Sequence, residues 1–256
     1  MEKRTDMAIE LTKSSSRFGK GKLVRTDIDL DEATAKRYGK AAGKYVTIEC
    51  DAVKNADRDF YKRLSSAISE VVDELGGRAE NVLVVGLGNP KLTADSLGSK
   101  VFDRLVVTRQ LGPEGTQISG ICPNVMGVTG IESFDVIKGV CERVKPDLII
   151  AVDSLASATT GRIASAFQLC SSGITPGSGV SNHRMRLDRE SLGCKVISLG
   201  VPLVVYASTI VNEAVEGADI SDDIENLIVT PKDIDFLVEE CADVIAAAIN
   251  RTFSPF

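Results

Sequence analysis

Apolar residues recur along this chain with two rhythms, and the switches between them mark out its elements. The β-branched runs at 81–85 (NVLVV) and 147–152 (DLIIAV) have the length and composition of strands buried on both faces. The alternating segment 44–50 (KYVTIEC) reads as another strand, as do 117–125, 195–199 and the run GVPLVVYAS after it. Between them Phe60, Leu64, Ala67, Ile68, Val71, Val72 and Leu75 fall at helical spacing until Gly76-Gly77 stops the helix. Ile131, Phe134, Ile137, Val140, Cys141 and Val144 form a second stripe, opened by a capping box of Thr129 and Glu132 and closed by Pro146. The last helix is predicted from Thr230 as N-cap, Pro231 at its first position, Asp233 in its first turn, and an apolar face of Ile234, Leu237, Val238, Cys241, Val244, Ile245 and Ala248. Strands alternating with helices predict an α/β three-layer sandwich over 44–256, a mostly parallel sheet covered by helices on both faces. Residues 1–43 are polar and hold no sustained period, which predicts a loosely held arm with one short strand at 22–26.

The stretch 81–108 organises the rest, as strand, tight glycine loop and helix. Gly86 and Gly88 mark the turn, and Thr93 is predicted to cap a helix with Asp95 in its first turn, beside unpaired backbone N–H groups. Asp153 directly ends the strand at 147–152. Both acids are thus expected at the carboxyl ends of strands, where open α/β sheets build their sites. A structural reading, in which Asp95 caps a helix and Asp153 ends a strand, stands beside a chemical one. Two carboxylates brought close cannot both ionise easily and share a proton, so one can act as base toward water while the other protonates the scissile group.

Composition narrows the field. The 256 residues carry a formal net charge of −6 and no basic stripe, which argues against a nucleic-acid-coating protein. The charged N-terminus lacks the apolar core of a secretory signal, and no apolar run approaches the ~20 residues that cross a bilayer. Six scattered cysteines without a C-x-x-C pair read as small buried hydrophobes of a reducing compartment. The loop GLGNPK has Lys91 where a dinucleotide fingerprint needs its third glycine, and no Walker A sequence occurs. His183 is the only histidine, with no G-x-S-x-G elbow, so neither a Ser–His–Asp triad nor an ordinary zinc ligand set is supported.

Five segments, VLVVGLGNPKLTADSLGSKVFDRLVVTRQL, PNVMGVTGIESFDVI, PDLIIAVDSLAS, SSGITPGSGVSNHR and LIVTPKDIDFLVEECADVIAAAIN, occur in an order that resembles the germination proteases of spore-forming bacteria. The resemblance implies a fold similar to the hydrogenase maturation peptidases. It implies a cytoplasmic endopeptidase, a homotetramer made as a self-processing zymogen, that degrades small acid-soluble spore proteins without a cofactor and binds neither nucleic acid nor membrane. The family's proposed catalytic acids lie in T-P-D-A-L-G and D-A-L-A motifs; here these read T-A-D-S-L-G and D-S-L-A, so the roles carry over to Asp95 and Asp153. The N-terminal RTDMAIEL resembles the family's TDLAVEA processing region, which implies self-cleavage between Asp6 and Met7. Asn89, Glu132, Gly177, Ser178, Gly179 and Asn182 are further candidates for lining the cleft. The chain departs from the resemblance at Ala158, where an arginine is expected, at Ser171 and Tyr206, where acids are expected, and in its short linker at 216–226. Three alternatives remain at this point: a metal-dependent maturation-type peptidase using the same acids, a peptidyl-tRNA hydrolase-like esterase suggested by VVGLGNP, and a catalytically silent binding protein.

Overall fold

The computed structural model describes residues 4–12, 16–20, 23–112, 115–177, 185–215 and 220–253. Its strands are β1 (Ser16–Lys20), β2 (Leu23–Leu30), β3 (Gly43–Glu49), β4 (Asn81–Gly86), β5 (Gln117–Ile121), β6 (Leu148–Ser157), β7 (Ala166–Cys170), β8 (Lys195–Tyr206) and β9 (Ile228–Val229). Its α-helices are α1 (Glu32–Arg37), α2 (Arg58–Gly76), α3 (Leu97–Phe102), α4 (Met126–Thr129), α5 (Ser133–Val144), α6 (Arg189–Leu192), α7 (Ala207–Ala214), α8 (Asp222–Glu225) and α9 (Ile234–Phe253). The strands join in one sheet of order β1-β2-β3-β7-β8-β6-β4-β5, with β9 alongside the end of β8.

The layered α/β architecture is the expected one, and alternation along the strands shows how the layers divide. In β4 and β6 the residues Val82, Val84, Leu148, Ile150 and Val152 enter one core, shared with α2, α3 and α9. Their neighbours Leu83, Val85, Ile149 and Ala151 enter a second core on the opposite face, shared with Phe134, Ile137 and Cys141 of α5. Parallel pairing is confined to β5, β4, β6 and β8; β7, β3, β2 and β1 add on antiparallel. Among the described residues before 43, Val24–Leu30 of β2 pair with β3 and β1 pairs with β2, so these two stretches are tied into the sheet. The β2 alternation of Thr26, Ile28 and Leu30 facing inward with charged Arg25, Asp27 and Asp29 was masked by the number of charges.

Several boundaries move for local reasons. β6 does not end at Asp153 but runs on to Ser157, since β8 continues beside it as a single strand. Thr129 closes the short helix α4 instead of opening α5; its hydroxyl donates to Val125 O, and α5 begins after Glu132, whose side chain makes no cap. α9 starts at Ile234, and the Thr230 hydroxyl donates to Leu203 O across the sheet end.

One contact positions the site. α3 crosses the end of β4 so closely that a Cβ on Gly98 would lie 2.4 Å from both Leu87 N and Leu87 O, and one on Gly86 would lie 2.4 Å from Gly98 O. Only paired glycines allow that approach. Gly98→Ala is therefore expected to destabilise the fold by at least about 2 kcal/mol through overpacking against backbone that cannot yield. Urea unfolding checks this, and a loss under about 0.5 kcal/mol would show that the crossing is looser than described.

Candidate active site

The site lies on the sheet face that carries α5, in the gap between that helix and a third apolar cluster. This cluster joins Met7, Ala8 and Ile9 to Ile28, Leu30, Tyr45, Leu155 and Cys170. On β6, Ile149 and Ala151 point into the α5 core and Leu155 into the third cluster, so Asp153, between them on the same face, points into the gap. Register extends the row sideways: Asp153 pairs with Gly200 of β8, and Gly200 with Gln168 of β7. Leu155 packs against Gly200 so closely that a Cβ there would lie 2.6 Å from its Cγ.

Asp95 reaches the same cleft, a space of about 210 Å³ whose lining includes Asp6, Lys40, Asp95, Asp153 and Gln168. It does so by a route different from the expected helix cap. Thr93–Asp95 is a 3-10 turn, and α3 starts only at Leu97. The Asp95 carboxylate reaches back to accept the Asn89 N–H at 2.7 Å, and Asp95 O comes within 2.1 Å of where a Cβ on Gly88 would sit. Gly88, at φ +95°, is thus required twice, by conformation and by space. Asp153 is 7% exposed, and its Oδ1 accepts the Ser154 N–H at 2.9 Å. Each carboxylate thus accepts from a backbone N–H while lining the cleft.

The remaining candidates divide. Gly177 lines the cleft. Asn89 and Glu132 do not: Asn89 holds Asp95 through its backbone and folds its own side chain onto Lys91 N–H, a turn role, and Glu132 sits at the start of α5. Ser178, Gly179 and Asn182, like His183, fall outside the described residues. Among the described residues no group of three His, Cys, Asp or Glu side chains is arranged to hold a metal ion.

Asp6 lines the cleft and Met7 is buried in the third apolar cluster, in an arm whose segment 4–12 packs onto the body. Asp6 N–H donates to Ala156 O and the Asp6 carboxylate accepts Ala156 N–H, each at 2.9 Å. Gln168 brackets Met7, its Nε2 donating to Asp6 O at 3.0 Å and its Oε1 accepting Ala8 N–H at 2.7 Å, while Met7 N–H donates to the Thr5 hydroxyl at 2.9 Å. Met7 is 0% exposed, and burying such a side chain contributes about 1.5–3 kcal/mol toward holding the arm in place. Lys40 donates to Thr5 O at 2.9 Å. Sequence reasoning passed over Gln168 and Lys40. Gln168 carried a signal, being the one polar residue in the fully buried strand AFQLC, where an uncompensated amide would be costly. Lys40 carried none, since a lysine after a turn is ordinary surface.

Residues 4–217 match the family model described as Germination protease. The chain is 37% identical to a germination protease of Caldanaerobacter subterraneus subsp. tengcongensis over 91% of its own length and 85% of the relative's. A Clostridium tetani germination protease is 31% identical over 100% of this chain and 96% of its own. One from Bacillus licheniformis is 40% identical over 82% and 62% respectively. Among solved structures, a [NiFe] hydrogenase maturation protease, HycI, of Thermococcus kodakarensis is similar over 70% of this chain and 99% of its own, at 20% identity and a TM-score of 0.42.

Burial depresses the Lys40 ammonium below its ordinary value, and the charges of Asp6, Cys170 and Glu10 partly restore it. Asp6→Asn should lower it further, as read by NMR titration of the selectively labelled lysine. An unchanged or raised value would remove Asp6 from its surroundings. Because the folded value lies below the unfolded one, the unfolded chain holds this proton more tightly. Lys40 therefore opposes stability at neutral pH, and the penalty fades as pH rises from the depressed value toward 10.5.

Proposed function

Because the chain belongs to the germination protease family, we propose that it is an endopeptidase in which Asp95 and Asp153 activate water, acting first on its own Asp6–Met7 bond and then on protein substrates. One observation carries the reading. The carbonyl oxygen of the bond singled out by sequence accepts a hydrogen bond from Gln168, in a cleft that both aspartates line. One carboxylate takes a proton from water as the water oxygen bonds to the Asp6 carbonyl carbon. The charge developing on Asp6 O is met by the Gln168 amide, a preoriented neutral donor. The partner carboxyl, holding the shared proton, passes it to Met7 N as the C–N bond breaks, leaving a carboxylate at Asp6 and an amine at Met7.

This chemistry needs no cofactor. In its cellular setting the substrates are small acid-soluble spore proteins, stripped during germination by a cytoplasmic enzyme assembled as a homotetramer. Until the arm is cut and displaced, residues 5–8 fill the positions that an incoming chain would take, which makes the uncut chain a zymogen. Among the described residues no helix is long and apolar enough to cross a membrane.

Asp95→Asn and Asp153→Asn should each lower the rate of self-cleavage and of substrate cleavage by about 10²-fold or more, with unchanged thermal unfolding. Intact-mass spectrometry follows both reactions. Either variant retaining near-normal cleavage would refute the assignment, and loss of wild-type activity on chelation would transfer the role to a metal.

A further inference from the structure

The chain ahead of the Asp6–Met7 bond is fastened by a side chain that the hydrolytic chemistry leaves unused. Arg4 lies two residues before Asp6, and its guanidinium sits over the Tyr206 ring, 5.1 Å from the centroid. Its Nη1 donates to Asn226 Oδ1 at 2.8 Å, and its Nη2 stands 4.0 Å from Glu225 Oε1. The Asn226 amide is turned for this, since its Nδ2 donates to Asp222 O at 2.8 Å and leaves the oxygen for the guanidinium. Tyr206 is held beside that loop by its pairing with Ile228 of β9 and by the Ala207 N–H, which donates to Leu227 O at 2.9 Å. All three groups belong to the body of the protein, and together they offer one planar cation a π face, a neutral acceptor and a carboxylate.

We propose that Tyr206, Asn226 and Glu225 form a cation-reading pocket, which selects protein substrates carrying a basic side chain, arginine over lysine, on the third residue before the bond that is cut. This deepens the hydrolytic reading above and rests on it for the identity of that bond. The sheet sets the spacing. Ala156, which holds Asp6 by both backbone groups, pairs with Val204 of β8, and Tyr206 stands two residues further along the same strand. Two strand residues cover about 7 Å, a span that the two residues from Asp6 back to Arg4 can match. Charge favours the same occupant. The short helix α8 places Asp222, Asp223 and Glu225 within about one turn, so a cation entering beside it relieves like-charge repulsion. A planar guanidinium stacks on the ring while donating to Asn226, whereas a lysine ammonium is a compact point charge with no plane to stack.

The test uses the wild-type chain, matured by its own cut, with an N-acetylated peptide of residues 4–12 and the same peptide carrying Arg4→Lys or Arg4→Met. The Met peptide should show a KM raised about fivefold or more and the Lys peptide an intermediate value, with kcat little changed, as expected for contacts made equally before and during reaction. Asn226→Lys protein, which sets a like charge in the pocket at an exposed position, should cut the Arg and Met peptides with similar KM. Equal KM values for those two peptides with wild-type protein would overturn the pocket while leaving the hydrolytic reading intact. A second measurement does not depend on catalysis: in the full-length Asp153→Asn background, Arg4→Met should speed amide exchange at Asp6, whose N–H is bonded to Ala156 O, by about fivefold or more, with α9 amides unchanged as the folding control. Unchanged exchange would overturn the pocket as well. Faster exchange with no peptide cut would sustain the pocket and sink the hydrolysis.

Discussion

The arrangement depends on the alternation of side chains along β6 from Leu148 to Leu155, the stretch that keeps one register with β8, which in turn pairs with β7. Because successive residues point to opposite faces, the run from Leu148 to Val152 fills two cores, and the next position must face the gap between α5 and the arm cluster. Asp153 occupies it. The neighbouring rows supply Gly200, whose missing side chain leaves room for Leu155, and Gln168, the polar residue of an otherwise apolar strand. A one-residue slip would turn the acid into the α2–α9 core and an apolar side chain into the cleft, so sheet pairing itself holds the chemistry in place.

The second acid arrives by a different constraint. Asp95 belongs to no regular strand or long helix, and its position follows from the contact of Gly86 with Gly98 and from the approach of Gly88 to the Asp95 backbone. Backbone packed to that distance leaves the carboxylate little freedom, and the Asn89 N–H fixes what remains. Pre-set geometry of this kind is what general acid–base chemistry requires, because reorganisation is avoided when the bond is cut. The arm adds a third acid, Asp6, gripped by the backbone of Ala156, and its carbonyl oxygen accepts from Gln168, which stands in the row with Gly200 and Asp153.

Legibility in the sequence followed the strength of local pattern. The buried runs of β4 and β6 and the stripes of α2, α5 and α9 were readable because each repeats a period over enough residues to be unambiguous. Asp95 was singled out by the tight glycine turn that follows β4, whereas Asp153 was singled out by a strand end that in fact lies four residues further on, at Ser157. What escaped was decided by tertiary contact. β2 was hidden by its charged outward face, which is neutralised in place where Arg25 pairs with Asp27 and Glu74. The reach of β6 past Asp153 was set by its partner β8, and the caps expected at Thr93 and Thr129 lost to turns whose hydrogen bonds are satisfied locally. The polar N-terminal sequence gave no sign that Met7 is fully covered or that Glu10 is sunk among four donors, since both depend on a surface built by residues about 150 positions away.

The central claim is that the Asp6–Met7 bond already lies within reach of the two aspartates that line its own cleft. The most direct measurement is the rate of appearance of a new N-terminus at Met7 across a hundredfold dilution of the full chain, followed by intact-mass spectrometry. A cut made within one chain is first order, so the account predicts the same rate constant at every concentration and loss of the reaction in Asp153→Asn. A rate that falls in proportion to concentration, or a chain that still begins at Met1 under conditions where it cuts other proteins, would contradict it.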